Sequence, residues 1–304
     1  MSGILTAGDL QRIIWVEETT YGTTPVNGWK NGPQTLNLTP VNNQGKNELF
    51  WGGRRSFVSA AYTEQRRSTR FKMTSNEEMR ADWTSPLLTG VLGTPQGTEL
   101  LGYLPSFSMI VGVGKERVLY CGCKVNSLKI TADSPKAILQ TETELVCKYV
   151  EPIDTNGIVN GLQGLTLGAM PSATNYPAVQ VMPPIMLDGK RINPIAWTFS
   201  VENNLVSEDG GETGADHEMH AVSVNVLEGA RSIMFECELY LYDLSFLKDR
   251  LANKEIATLS FGLGNKRINL LNGRYVVDGG DENMFEQAQM KQKLRMIFES
   301  VVVE

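Results

Sequence analysis

Ser232-Ile-Met-Phe-Glu-Cys-Glu-Leu-Tyr-Leu-Tyr-Asp243 is the stretch on which the fold turns. Ile233, Phe235, Cys237, Leu239 and Leu241 take one side of a period-two pattern, and Met234, Glu236, Glu238, Tyr240 and Tyr242 take the other. Alternation of this kind is a half-buried β-strand, because successive side chains leave a pleated backbone on opposite faces. Ala137 to Val150 repeats the design, with Leu139, Thr141, Thr143, Leu145, Cys147 and Tyr149 set against Gln140, Glu142, Glu144, Val146 and Lys148. Shorter runs predict strands at 62–74, 106–111, 117–131, 195–202, 257–261 and 288–302. Only two stretches read as helices. Ser75 followed by Glu78 forms a capping box that opens a helix over 76–84, which Pro86 ends or kinks. Asp243 caps a second over 244–252, with Leu244, Leu247 and Leu251 on one face and Asn253 at the stop. The chain is mainly β.

Composition narrows the class. The 304 residues carry 28 Lys+Arg against 34 Asp+Glu, a net charge of −6, with 41% hydrophobic and 20% charged residues. That balance builds a folded core and argues against a protein that grips nucleic acid by neutralising phosphates. Four cysteines, Cys121, Cys123, Cys147 and Cys237, are too few and too scattered for a disulfide framework. The opening residues lack a basic segment followed by an apolar one, so no signal peptide is expected, and synthesis is expected in the cytoplasm. The longest uncharged stretch, 155–187, is punctuated by Gly157, Gly161, Gly164, Gly168, Pro171, Pro177, Pro183 and Pro184. It reads as a connector, and no membrane-spanning segment is expected.

An internal repeat organises the rest. Around the first helix the order is strand (62–74), helix (76–92), strand, strand, strand (137–150). Around the second it is strand (232–242), helix (244–252), strand, strand, strand (288–302). Gly112-Val-Gly114-Lys-Glu-Arg117 matches Gly262-Leu-Gly264-Asn-Lys-Arg267, and the match runs on to Gly122 and Gly273 with one extra residue in the second copy. Leu36 to Asn43 similarly matches Phe199 to Asn204. These correspondences divide the chain into an N-terminal arm (1–32), a first β unit (33–150), a Gly/Pro-rich connector (151–189) and a second β unit (190–304). The arm and the connector are expected to order against neighbouring molecules.

Chemistry has little to work with. The only histidines, His217 and His220, follow a Gly/Asp-rich turn, and no nucleophile motif accompanies them. As metal ligands they lack a third partner. Cys121-Gly122-Cys123 places two sulfurs on one strand with Cys147 within reach of the next; three thiolates could hold zinc, but buried apolar cysteines are the simpler reading. Gly112-Val-Gly114-Lys115 fails as a phosphate loop, since Met109 stands where the first Gly belongs and Glu116 where Ser or Thr belongs. Arg66, Arg67, Arg70 and Lys72 divide between two strand faces and make no single basic patch. No enzyme and no cofactor are expected.

Three segments carry a family likeness. They are Trp15-Val-Glu-Glu-Thr-Thr-Tyr21-Gly22-Thr-Thr-Pro25, Tyr120-Cys-Gly122-Cys-Lys-Val125-Asn-Ser127-Leu-Lys-Ile-Thr-Ala132, and Ile195-Ala-Trp-Thr-Phe-Ser-Val-Glu-Asn203-Asn204-Leu. In their order and spacing the chain resembles the major tail tube proteins of tailed bacteriophages. The resemblance implies tandem β-sandwich or barrel units, each with a short flanking helix. It implies a structural virion protein, made in the host cytoplasm, whose rings stack into a hollow tail tube through which viral DNA passes. Many such proteins have one unit and this chain reads as two, so three chains in a pseudo-sixfold ring are expected, with a homohexamer as the alternative. Other tail proteins (tape measure, tail terminator, a sheath) are implied partners, and DNA is implied only as non-specific cargo. The competing class is a carbohydrate- or surface-binding β-sandwich of a virion, with Trp29, Trp51 and Trp83 lining a groove.

If the chain forms a tube, one strand face lines the bore. Glu142 and Glu144, and Glu236 and Glu238, are spaced so that each pair shares a face, and like charges so placed are tolerated only against water. They are the candidate lumen residues, where they would repel phosphates. The alternative is that they face outer solvent or a sheath. Lys291, Lys293 and Arg295 also share a face, directed outward or paired with the acids across a subunit boundary.

Overall fold

In a computed structural model of the chain, residues 12–31, 35–40, 70–76, 90–92, 104–113, 116–134, 139–153, 184–209, 221–240, 255–263, 266–276 and 291–304 are described. The first half contributes β1 (Arg12–Glu17), β2 (Lys30–Asn31), β3 (Thr35–Pro40), β4 (Arg70–Asn76), β5 (Phe107–Val113), β6 (Glu116–Ala132), β7 (Gln140–Val146) and β8 (Tyr149–Ile153). The second contributes β9 (Ile185–Leu187), β10 (Lys190–Ile192), β11 (Ala196–Glu202), β12 (Val206–Asp209), β13 (Ala221–Leu227), β14 (Ser232–Tyr240), β15 (Glu255–Leu263), β16 (Lys266–Tyr275) and β17 (Lys291–Val303). All pairings among them are antiparallel, and no series of pairings returns to its starting strand. The expectation of a mainly β chain holds. The barrel form of that expectation does not, because the described sheet stays open.

Burial explains the strands. Along β14, Ile233, Phe235, Cys237 and Leu239 are buried and the intervening residues are not. Along β7, Thr141 and Thr143 sit in the core beside Leu145, as their side of the alternation requires. β1 was hidden from a search for alternation, since Ile13, Ile14, Trp15 and Val16 are all buried. A strand covered on both faces reads as a continuous apolar run. Residues 12–31, placed in an arm by their sequence, therefore add β1 and β2 to the sheet, with Trp15 paired to Met109. Gly90, Val91 and Leu92 are helical, whereas Asn76 ends β4 instead of opening a helix. The rest of both expected helices, residues 62–69 of the first expected strand, His217, His220, Trp51, Trp83 and connector residues 154–183 lie outside the described residues. Within the described residues, no helix is long and apolar enough to cross a membrane.

The pairing register gives the two halves the same strand order. The first half has the strand order β2-β1-β5-β6-β7-β4-β3. The second has β10-β9-β15-β16-β17-β14-β11. Gly112 pairs with Arg117 in the β5–β6 hairpin, and Gly262 pairs with Arg267 in the β15–β16 hairpin, so the repeated letters occupy equivalent hairpin positions. Gly114 and Gly264 lie outside the described residues. Five residues after each arginine the backbone turns left-handed, at Gly122 (φ 63) and Asn272 (φ 54). Gly122 therefore corresponds to Asn272, and the extra residue inferred from the letters disappears. In the second half, Trp197 stacks on Phe235 at 5.8 Å, and Phe261 lies within 5.4 Å of both. Phe261 belongs to β15, which pairs with neither β11 nor β14, so the sheet folds over to bring its own faces together.

The two halves join through β6. This 17-residue strand outruns β5, and its second half pairs with β11 from Trp197↔Ala132 to Glu202↔Ser127. On its opposite flank β7 and β8 follow one another, linked by the Lys148 amide on the Cys121 carbonyl at 2.9 Å. β13 in turn pairs with β8 through Ala221↔Val150 and Val222↔Tyr149. Gly122 sits where β6 bends. A Cβ there would lie 2.7 Å from Lys148 Cβ, at a φ that side chains resist. Gly122→Ala is expected to lower stability by about 1–3 kcal/mol, read as a shift in urea midpoint; an unchanged midpoint would show that the bend tolerates a side chain.

Candidate functional site

The three segments behind the family likeness meet at the bend of β6. Glu18, just past β1, accepts the Gly22 amide and the Ser106 hydroxyl on one oxygen, at 2.8 and 2.7 Å. Its other oxygen accepts the Ser108 hydroxyl and the Gly122 amide, at 2.6 and 2.8 Å. One carboxylate thus binds a tight N-terminal turn to the left-handed residue of β6, an arrangement favoured because charged acceptors make the stronger hydrogen bonds. Tyr21 lies between Lys124 and Lys148, with ammonium groups 4.9 and 5.4 Å from its ring.

Asn203, at the end of β11, is buried and closes the same region. Its amide nitrogen donates to the carbonyls of Val91 and Val125, each at 2.9 Å, and its side-chain oxygen accepts Arg231 Nε at 2.9 Å. Around it the Leu205 amide donates to Asn126 Oδ1 at 2.7 Å, and Arg70 donates to the Leu205 carbonyl at 2.8 Å. Lys124 pairs with Glu228 at 2.8 Å, and its side chain is only 12% exposed. Leu205 and Val226 from the second half pack with Leu104, Val146 and Tyr21 from the first. This seam of buried amide, ion pair and apolar cluster was legible in the letters only as an Asn-Asn ending.

The candidate lumen residues fall on one face. Cross-strand registers place Lys72, Glu144 and Ser127 in one row, and Thr74, Glu142, Lys129, Ser200 and Met234 in the next. Thr131, Thr198, Glu236 and Arg295 form another, followed by Ala196, Glu238 and Lys293. The two glutamate pairs are therefore neighbours on a single polar face. They are not repeat equivalents. Arg70 pairs with Val146 as Met234 pairs with Ile297, which matches β4 to β14 and β7 to β17. Two residues along, Lys72 faces Glu144 in one unit, and Glu236 faces Arg295 in the other. The bridge keeps its place and reverses its sign. Glu144 lies 3.7 Å from both Arg70 and Lys72. Glu236 lies 3.0 Å from Arg295 and 4.0 Å from Lys293. Lys293 and Arg295 thus meet Glu236 within one chain, Lys291 lies opposite Tyr240, and Glu202 joins Ser127 in the first row, so the face is mixed in charge instead of purely acidic.

The cysteines are buried and free. Cys123 and Cys147 approach each other to 2.8 Å, while Cys121 turns to Thr24 and Ser108, because Gly122 interrupts the alternation between them. Among the described residues no group of His, Cys, Asp or Glu could hold a metal. Burial pushes the thiol of Cys121 up to about 11 and that of Cys237 up to about 12. Trp29 is half-buried. Neither the family models nor the curated proteins compared with this chain match it.

Two measurements test this geometry. A double-mutant cycle of Glu236→Gln and Arg295→Gln should give about 0.5–1 kcal/mol of coupling, reduced by salt, as a partly exposed bridge does; zero coupling at low salt would break the pairing. The folded chain holds the Cys237 proton to about 12, against 9.0 for an ordinary thiol. The unfolded chain loses its proton first, so stability should fall as pH rises from about 9 toward 12. Denaturant titrations across that window should show a shallower fall for Cys237→Ala than for the unaltered protein.

Proposed function

We propose that this chain is a structural subunit of a virion tail, a tail tube protein whose copies close into stacked rings around a channel for DNA. The observation that supports this most is the repeated architecture: two halves of identical strand order, with β11 of the second pairing along the stretch of β6 that outruns β5 in the first, a join that a sheet running from one ring member to the next would repeat. Each unit reads as a β-sandwich with its helix to one side. Three chains supply six units and close a ring of pseudo-sixfold symmetry, because a repeated head-to-tail contact whose rotation closes makes a ring. Rings also protect strand edges that would otherwise aggregate.

The polar face carrying Glu142, Glu144, Glu236 and Glu238 lines the bore. Its acids are interleaved with Lys72, Lys129, Lys293 and Arg295, so phosphates meet no net attraction, and DNA passes without adhering. The role is structural rather than catalytic. The partners are further copies, the tape measure, terminator and sheath components of a tail, and DNA as cargo. The site of action is the virion, after assembly in the host cytoplasm.

Negative-stain microscopy with native mass measurement tests this reading. Rings should form as concentration rises, with a mass three times that of the 33.6 kDa chain. Six chains per ring would mean that the repeat does not supply ring positions, and a monomer at every concentration would remove the tube.

A further inference from the structure

The seam between the units exists once inside the chain, and both of its halves recur elsewhere without a partner among the described residues. In the first unit, β8 takes β13 along its free flank, Val146 lies beneath Leu205 and Val226, and Lys124 holds Glu228. The repeat register carries each of these positions to the second unit. Lys124 faces Val146 as Arg274 faces Ile297, and three residues after Val146 the strand β8 begins, as Ser300 follows Ile297. β17 pairs with β14 only as far as Phe298, so Ser300–Val303 has β16 on one flank and no described strand on the other.

The side chains differ as a missing partner predicts. Val146 is fully buried, whereas Ile297 is 43% exposed. Val302 and Val303 are 43% and 38% exposed on the same strand end. Lys124 is 12% exposed in its ion pair, whereas the Arg274 side chain is 62% exposed beside an exposed Glu255. The complementary half lies in the first unit. β11 is flanked by β14 and β6, but its equivalent β3 pairs among the described strands with β4 alone.

We propose that a second copy of this chain fills both places. The end of β17 in one copy, with Arg274, Ile297 and Val302 around it, faces the β3 side of the next, in the place that the second unit takes beside β8 within the chain. The contact is heterologous, so repetition yields a closed ring or an open filament. It combines backbone pairing at strand edges with burial of exposed apolar side chains, the two features that the internal seam already joins. This inference rests on the self-assembly part of the proposed function and adds the surface responsible.

Sedimentation velocity over a concentration series tests it with Ile297→Glu and Val302→Lys, both at exposed positions, with thermal unfolding as the check on folding. Each should raise the association midpoint at least tenfold; variants that fold and associate like the unaltered protein would overturn the assignment. Hydrogen exchange on the unaltered chain gives a reading free of mutation. Amides of Ser300–Val303 and of β3 should become protected on assembly, and unchanged exchange at both would overturn the proposal. Rings that form without these changes would leave the tube reading standing and remove this seam. Open filaments showing both changes would support the seam and remove the ring. A chain that stays monomeric to its solubility limit would remove both.

Discussion

The second half of β6 is the constraint on which the rest depends. Beyond its pairing with β5, the strand still presents backbone donors and acceptors along Ser127–Ala132, and such groups cannot stay buried without partners. β11 supplies them, which draws the second unit against the first at a defined register. That register sets Phe199 opposite Ile130 and Val201 opposite Leu128, so the backbone ladder and the apolar core continue together from one unit into the other. A slip of one residue would turn Trp197, Phe199 and Val201 outward. The left-handed Gly122 makes the arrangement possible by bending β6 between its two sets of neighbours, and Glu18 holds that bend from the side.

The reversed bridges show how the two units share an architecture without sharing a surface. Lys72 opposite Glu144 and Glu236 opposite Arg295 satisfy the same cross-strand geometry, because a salt bridge is indifferent to which strand carries which sign. The exchange keeps acids and bases interleaved across the strands that carry both units. Across the described face the basic residues of β4, β6 and β17 therefore stand beside the acidic residues of β7 and β14, so each charged strand has a neighbour of opposite sign.

Polar groups anchor the chain at one place. Glu18, Asn203 and Asn126 hold backbone groups and side chains of distant strands together, and Cys121 and Cys237 hold their protons because burial penalises the thiolate. The segments that supply these groups are scattered in the chain because each provides one side of a junction that forms only when β1, β6 and β11 come together.

Period-two alternation was enough to identify β14, β7 and β11, because those strands bury one face and wet the other, and residue type then follows directly from geometry. The hairpin letters around Gly112–Arg117 and Gly262–Arg267 were enough to find two hairpins in equivalent places of the two strand orders, since a turn makes local demands that local residues meet. β1 escaped because burial on both faces erases the alternation, and β9 with β10 escaped because three residues are too few to show a period. What only the tertiary structure decided was partnership. The letters place Glu142, Glu144, Glu236 and Glu238 each on a face, but not on the same face, and they cannot say that Lys293 and Arg295 lie beside Glu236. Register between distant strands is decided by which backbone edges remain open after nearer pairings form, and that depends on strand length, bends and bulges across the whole sheet, which no local pattern records.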